Sequence, residues 1–492
     1  MNKLRIRSLF ALSCAALLVT GCRVGPNYQK PVAVAPPAFK ETPPAAFGEA
    51  EGWRVATPND AQLRGDWWTI FDDPLLNELE AKVDTANQTL KAADANYRAA
   101  QAYVSFYRAN HAPTVGVAPS PGAIRNSQNQ PYFNGSSPSA TTNGLGNLSL
   151  PFTLNYEVDL WGRIHRSIEQ AGDQAQASAA DRENIRLSLH TELAQNYMDL
   201  RAADAQQKLL ADTVTAYQRA LQLTEDRYNG GAAPLSDVSQ ARTQLQTALV
   251  QETDVDVQRS RLEHAIAVLI GQPPAALTIP RSPLTVQPPT MPIVPGMLPA
   301  ALLERRPDIA AAERRTAAAN EQIGITKAAF YPTLSISATA GFIGTSAVNW
   351  FTWPSRFFAV SPAFSQTLYD HGRRRSLSDV ARAEYDSTVA DYQQTALQAF
   401  SEVEDNLAAL RHLEVEAQQQ LDSTAAAQQS LDLFNVRYEG GVDTYLQVIT
   451  WQTALLQNQR NDIDIHRRRL DSTILLVKAL GGGWDANQLP KP

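Results

Sequence analysis

Three groups of side chains in this sequence are of types that could do chemistry. Seven histidines could ligate a metal or relay protons. They are scattered, with no His-Glu-x-x-His pattern and no carboxylates clustered at ligand spacing. Gly481-Gly482-Gly483 could cradle a phosphate, but the Lys-Ser/Thr that follows in a phosphate loop is missing, so the run reads more simply as a helix stop. No Gly-x-Ser-x-Gly nucleophile elbow occurs. The third group is a single thiol. Cys22 follows a basic start (Lys3, Arg5, Arg7), an apolar run from Leu9 to Val19, and the small-residue site Val19-Thr20-Gly21, which together read as a secretory signal with its cleavage site. These patterns argue against an enzyme and call for no cofactor and no metal.

The segment up to Cys22 resembles a bacterial lipoprotein signal, in which Cys22 becomes the lipidated first residue. Arg23 in place of Asp after it favours the outer membrane, by the same resemblance. Loss of residues 1–21 removes three basic residues and no acidic ones, taking the net charge from −7 to −10. A mildly acidic chain without basic tracts argues against a nucleic-acid partner. One cysteine remains after cleavage, so no disulfide framework is expected. No other run of about 18 apolar residues offers a membrane helix.

What must position the remaining residues is a repeat. RYNGG, Arg227 to Gly231, recurs as RYEGG, Arg437 to Gly441, at an offset of 437 − 227 = 210. The same offset puts Gly162-Arg163 on Gly372-Arg373, Leu200-Arg201 on Leu410-Arg411, Asp254 on Asp464 and Gly271 on Gly481. Upstream it becomes 219, where His111–Val117 matches Phe330–Ile336, so nine residues are inserted between Pro113 and Gly162. Such a length change marks a loop. The chain is therefore two copies of one long unit.

Each unit opens with a helix rich in Ala, Gln and Leu, expected over Pro74–Asn110 and Pro299–Ala329 and ended by proline. The period then switches to two. Leu148, Leu150, Phe152, Leu154, Tyr156 and Val158 alternate with polar residues, as do Leu334, Ile336, Ala338, Ala340 and Phe342, then Phe358, Val360 and Phe364. A weaker first strand starts at Thr114. The alternation fits a half-buried soluble sheet or a membrane barrel, apolar outward and polar toward a wet lumen. Strand length and the aromatics Trp350, Phe351, Trp353 and Phe357 favour the barrel. Four strands cannot close one, so the rest must come from other copies, and a trimer would supply twelve. Next comes a helix over Arg163–Asn229, 67 residues or roughly 100 Å. A Gly-Gly stop ends it, and return helices follow over Leu235–Ile270 and Tyr445–Leu480. The predicted organisation is a signal (1–21), an extended segment (22–70), helix (71–112), strands (113–161) and helical hairpin (162–270) of unit 1. A proline-rich linker (271–298) leads to helix (299–331), strands (332–370) and hairpin (371–480) of unit 2, then a tail (481–492). The fold class is mixed α and β: a transmembrane antiparallel barrel shared by a trimer, continuous with a long helical coiled-coil barrel.

The residues at this point resemble the TolC-like outer-membrane factors, of the lipoprotein type exemplified by OprM and NodT. CRVGPNY (Cys22–Tyr28), DWWTIFDDPLL (Asp66–Leu76), VDLWGRI (Val158–Ile164), LLERRPDIAAAE (Leu302–Glu313), FYPTLSI and RYEGGVDTYLQV (Arg437–Val448) look like that family's motifs, in order along nearly the whole mature chain. The resemblance implies a homotrimer anchored in outer-membrane lipid at Cys22. It implies docking of the tip turns, Gly230-Gly231 and Gly440-Gly441, onto a periplasmic adaptor (membrane fusion) protein, and an inner-membrane pump of the RND type that delivers small toxic compounds. The alternatives are a type I secretion duct for proteins and a structural coiled-coil lipoprotein. In the family a tyrosine–arginine–aspartate network constricts the entrance near the tips. Here Asp237, Arg437, Tyr438 and Asp443 match that pattern, while Gln447 and Thr450 stand where aspartates often occur, so an aspartate ring is not expected. Asp237 and Asp443 lie close enough to helix starts to serve as N-caps instead, or as both.

Overall fold

The computed structural model describes residues 23–33, 35–36, 39–41, 66–124, 145–284, 303–484 and Leu489. The signal (1–21), Cys22, much of the extended segment, half of the proline-rich linker and most of the tail lie outside the described residues. The elements, in chain order, are α1 (Pro74–Ala86), α2 (Gln88–Ala109), β1 (Thr114–Val117), β2 (Ser120–Ile124), β3 (Leu145–Val158), α3 (Arg163–Asn229) and α4 (Leu235–Leu269). Unit 2 then gives α5 (Pro307–Ala328), β4 (Thr333–Gly344), β5 (Arg356–Ser365), α6 (Arg373–Glu439) and α7 (Tyr445–Ala479).

The two opening helices differ from expectation. The span Pro74–Asn110 is broken at Asn87, whose backbone is extended (φ −62°, ψ 127°). Its side-chain oxygen accepts from Leu90 N (3.0 Å) to cap α2, while Nδ2 donates to Leu269 O (2.7 Å) at the end of α4. One residue thus starts a helix and closes another, which a continuous helix could not allow. In unit 2 the expected helix is likewise interrupted: Leu303–Arg305 are helical, Arg306 is not, and helix resumes at Pro307. Arg306 is extended (ψ 125°), as the residue before a proline must be, and proline is well suited to the first helical turn.

The strands form one antiparallel sheet in the order β1–β3–β4–β5, with β2 also on β3. The expected first strand is split at Ala118-Pro119, because proline has no N–H to give the ladder; β1 and β2 together make one stave, so the chain supplies four. Register carries the sequence pattern across all of them. Leu154 faces Val115 and Ala338, and Ala338 faces Val360, while Asn155 faces Thr114 and Ser337, and Ser337 faces Ser361. One face is therefore mostly apolar and the other mostly small and polar, with Arg356, Ile343 and Phe357 the exceptions at the connection end of β4 and β5, and a one-residue slip would mix them. The connection after β2 holds 20 residues (125–144) against 11 after β4 (345–355). That difference is the nine-residue insertion. The second connection carries Trp350 stacked on Phe351 (4.7 Å), itself edge-on to Phe342 (5.6 Å). Among the described residues the sheet's outer strands, β1 with β2 on one side and β5 on the other, have no further strand partner.

Below the sheet, α3 is the central rod. It packs on α2 and α5 along its strand-proximal half and on α4 and α7 along the other. The rod α6 packs chiefly on α5 and α7. The N-terminal segment also reaches it through Lys40 N and Glu41 N on Glu404 (2.6 and 2.8 Å), and another face leaves Leu377, Val380, Leu397, Val415 and Leu421 exposed. The main core lies at the waist, where Trp67, Trp68 and Phe71 close over Leu76, Leu79, Leu193, Tyr197, Met198, Ile266 and Ile474. Burial of this kind is worth about 25 cal/mol per Å² of apolar surface. His190 is buried in the same layer, stacked on Trp68 (4.3 Å) and held by Glu80 (2.7 Å) and Asp84 (3.1 Å).

Candidate functional site

The two helical hairpins end side by side. In each, the second glycine of the pair takes the left-handed conformation, Gly231 at φ 75° and Gly441 at φ 70°, and the chain closes with Ala232 N to Arg227 O (2.7 Å) and Val442 N to Arg437 O (2.9 Å). This is a glycine C-cap. Gly230 and Gly440 are right-handed (φ −80° and −74°), so the first glycine of each pair is not required by backbone conformation.

Identical turns are put to different uses. Tyr438 is buried and Tyr228 is exposed. Tyr438 packs against Tyr445 (ring centroids 5.2 Å apart), within a cluster that includes Ala241 of the other hairpin and Val448, and the buried Thr224 of α3 faces both phenols. Arg227 reaches across from the first hairpin, its guanidinium 4.6 Å from the Tyr438 ring centre and an Nη on Glu439 O (3.4 Å). Arg437, its counterpart at +210, turns back within its own hairpin to pair with Asp443. Further up, Gln244 of α4 donates to Thr453 of α7 (2.9 Å). Near the tips, hairpin is thus tied to hairpin by Arg227 on Tyr438 and Glu439, by Thr224 toward the two phenols, by Ala241 in the apolar cluster and by Gln244 on Thr453. Burial raises the Tyr438 phenol above its usual range and Tyr445 to about 12, so both rings stay neutral at physiological pH.

Of the residues singled out from sequence, Arg437 and Asp443 are brought together and Tyr438 lies in the cluster beside them. Asp237 sits in the first turn of α4, half-buried, with Ser236 Oγ donating to it (3.3 Å). Neither aspartate caps a helix. Pro234 and Thr444 occupy the N-cap positions, and no side-chain cap bond forms at either. Gln447 and Thr450 are exposed on α7, where Thr450 Oγ1 bonds back to Leu446 O (2.9 Å). Sequence reading missed Arg227 as a bridge, Thr224, Tyr445 and Gln244. The available signal was Tyr445, an aromatic residue where unit 1 has Leu235.

An ion pair as exposed as Arg437–Asp443 contributes about 0–1 kcal/mol, and a cation–π contact about 0.5–2 kcal/mol. Each of these polar contacts is therefore individually weak.

At the strand end, Arg23 is fixed beside the barrel. Val24 N bonds Trp161 O (3.2 Å), Arg23 pairs with Glu321 (3.0 Å), and Pro26 O accepts from the fully buried Arg166 (3.1 Å). Gly25, at φ 111°, leaves no room for a Cβ against Gly324.

The chain matches the family described as Outer membrane efflux protein over residues 82–272 and 298–482. It is 33% identical to the toluene efflux pump outer membrane protein TtgF of Pseudomonas putida, over 96% of each chain. It is 30% identical to outer membrane protein OprJ of Pseudomonas aeruginosa, over 96% of this chain and 95% of that one. Among solved structures it resembles the outer-membrane channel OprN with a TM-score of 0.83 at 27% identity, covering 94% of this chain and all of that one.

Proposed function

Because the chain belongs to the outer membrane efflux protein family, and so forms the outer-membrane channel of an efflux system, we propose the following division of labour. Three copies close their sheets into one twelve-stranded barrel and their helical hairpins into a tunnel below it. A periplasmic adaptor and an inner-membrane pump of the RND type deliver small toxic compounds to the tips. The channel itself is passive.

The observation that carries this reading is the two-faced, open-edged sheet set directly on 67-residue rods. A sheet with a continuous apolar face and bare edges is stable in a bilayer only when closed. The bare face of α6 asks for the same neighbour. The polar face of Thr114, Thr153, Asn155, Ser337, Thr339 and Ser361 lines a lumen in which the strand carboxylate Glu157 is neutralised by Arg163, suited to amphipathic organic solutes. TtgF, named for toluene efflux, supports that cargo class.

A lipid anchor at Cys22 is supported by the neighbouring residue: Arg23 is held at the junction of strands and helices, the height at which acyl chains would enter the membrane. The tips form the gate. In the resting state Arg227 and the Tyr438–Tyr445 cluster hold hairpin 2 inward, Arg437–Asp443 stiffens its turn, and Asp237 lies beside the two phenols. Adaptor contact at Gly230-Gly231 and Gly440-Gly441 releases it.

The test is deletion of the gene followed by sensitivity measurements on a panel of drugs, aromatic acids and metal salts. Sensitisation to organic solutes, restored by the intact gene, is expected. Unchanged sensitivity together with loss of a secreted protein from the medium would favour a protein-secretion duct instead.

A further inference from the structure

Where the rods meet the barrel, the two units carry different charge. α3 begins Arg163-Ile164-His165, and α6 begins Arg373-Arg374-Arg375. In unit 1 every cation is answered: Arg163 grips Glu157 on β3 with two nitrogens (2.9 and 3.1 Å), Ile164 is buried, and His165 faces Glu169 (3.2 Å). In unit 2 only Arg374 is answered, by Asp370 (2.6 Å). Arg373 and Arg375 are exposed, and among the described residues neither side chain has a hydrogen-bond or ion-pair partner. Asp379, one turn below Arg375, does not pair with it.

Helix electrostatics do not explain this run. The N-terminus is the positive end of the helix dipole, so cations are disfavoured there. Nor would a neighbouring copy supply the missing anion. Pairing of β5 with the β1 edge of a second copy sets α6 beside that copy's α2. From Ala95 to Ile124 the chain has no Asp or Glu, but it has Arg98, Arg108 and His111. The neighbour would extend the positive patch. The counter-charge must come from outside the protein. The height is also informative. Arg373 follows the end of β5 by eight residues, and the exposed Leu368 and Tyr369 lie between them, an apolar and aromatic pair of the kind found at a bilayer surface.

We propose that Arg373 and Arg375, with Arg108 of the adjoining copy, form a binding site for the phosphate of anionic glycerophospholipids in the periplasmic leaflet. The guanidinium fork matches a phosphate's oxygens, and Leu368 and Tyr369 would lie against the acyl chains. This site rests on the shared-barrel reading.

Native mass spectrometry of the purified full-length protein, titrated with phosphatidylglycerol or phosphatidylethanolamine, tests it. The wild type should hold phosphatidylglycerol in preference. The double variant Arg373→Gln/Arg375→Gln should lose about thirtyfold in that preference, from roughly fivefold per arginine near an anionic surface. Lys208→Gln, on the exposed side of α3 far from the barrel, should retain it. Equal binding of the two lipids by wild type, or an unchanged preference in the double variant, overturns the site. Displacement of the lipid by millimolar inorganic phosphate would also overturn it, in favour of a soluble-anion site. The same spectra weigh the oligomer, so a trimer without lipid preference sinks this site alone, whereas a monomer sinks the barrel reading itself.

Discussion

The two units share a register of 210 residues and are used differently at three heights. At the tip, Tyr228 points into solvent and Tyr438 into a buried cluster. At the waist, His190 and its counterpart Phe400 are both buried, but only the histidine recruits two carboxylates. At the membrane junction, Arg163 is chelated and Arg373 is bare. The cause is position in the fold. α3 is surrounded on both halves, so its polar side chains found partners within the chain; α6 borders an open edge, and its residues await a neighbour, a lipid or a docking protein. A repeat thus yields one scaffold and two sets of contacts.

The largest expected effect that would separate the units is at the tip. Tyr438→Ala removes a buried ring, a change of about 3 kcal/mol for large aromatic truncations. It should raise planar-bilayer conductance and vancomycin susceptibility strongly, while Tyr228→Ala leaves both unchanged. Equal effects from the two tyrosines would break the comparison.

Next is the waist. Burial pulls the His190 pKa down, but Asp84 and Glu80 outweigh it and hold it above its ordinary value, while burial raises Glu80 to about 7. Both groups bind protons more tightly folded than unfolded. Their contribution is fully present at low pH and is lost as pH rises, for Glu80 from its ordinary 4.5 toward 7 and for His190 as pH passes its raised value. The melting temperature should therefore fall from about pH 5 to pH 9, by the equivalent of about 1.4 kcal/mol per unit of pKa difference. Glu80→Leu/His190→Phe, which puts the unit 2 residue at the histidine and an apolar one at its partner, should flatten the profile.

A smaller contrast lies in the arginines. Arg227→Ala severs hairpin from hairpin and should increase conductance by the equivalent of about 1 kcal/mol. Arg437→Ala loses only an exposed pair within one hairpin, worth about half that or less. A contrast of similar size lies in the turns, within each glycine pair. Gly231→Ala and Gly441→Ala should each cost about 1 kcal/mol for the left-handed backbone, whereas Gly230→Ala and Gly440→Ala, in right-handed conformation, should be near neutral; thermal melts of the four variants check this.

Much of the architecture was legible because glycine and proline punctuate it. Gly162 and Gly230 bracket α3, Gly372 and Gly440 bracket α6, and the period-two alternation sets which side chains share a sheet face. What was hidden depends on distant partners. The break at Asn87 needs Leu269, 182 residues away. The bridging role of Arg227 cannot be read from a motif that Arg437 shares in all but one residue. Asp237 and Asp443 have the right composition for caps, but Pro234 and Thr444 had already taken the positions. The resemblance pointed to the tip as the constriction; only the packing of Tyr438 under Arg227 distinguishes the hairpin that is held from the one that holds it.

The central claim is that the strands face lipid on one side and water on the other. Scanning spin labels placed singly from Thr333 to Gly344, in protein reconstituted into bilayers, test it directly, since lipidation of Cys22 would leave no competing thiol. Oxygen accessibility should peak at Leu334, Ile336, Ala338 and Ala340, and accessibility to a water-soluble nickel chelate at Ser335, Ser337 and Thr339. Uniform water exposure along the strand, with no two-residue alternation, would contradict the account.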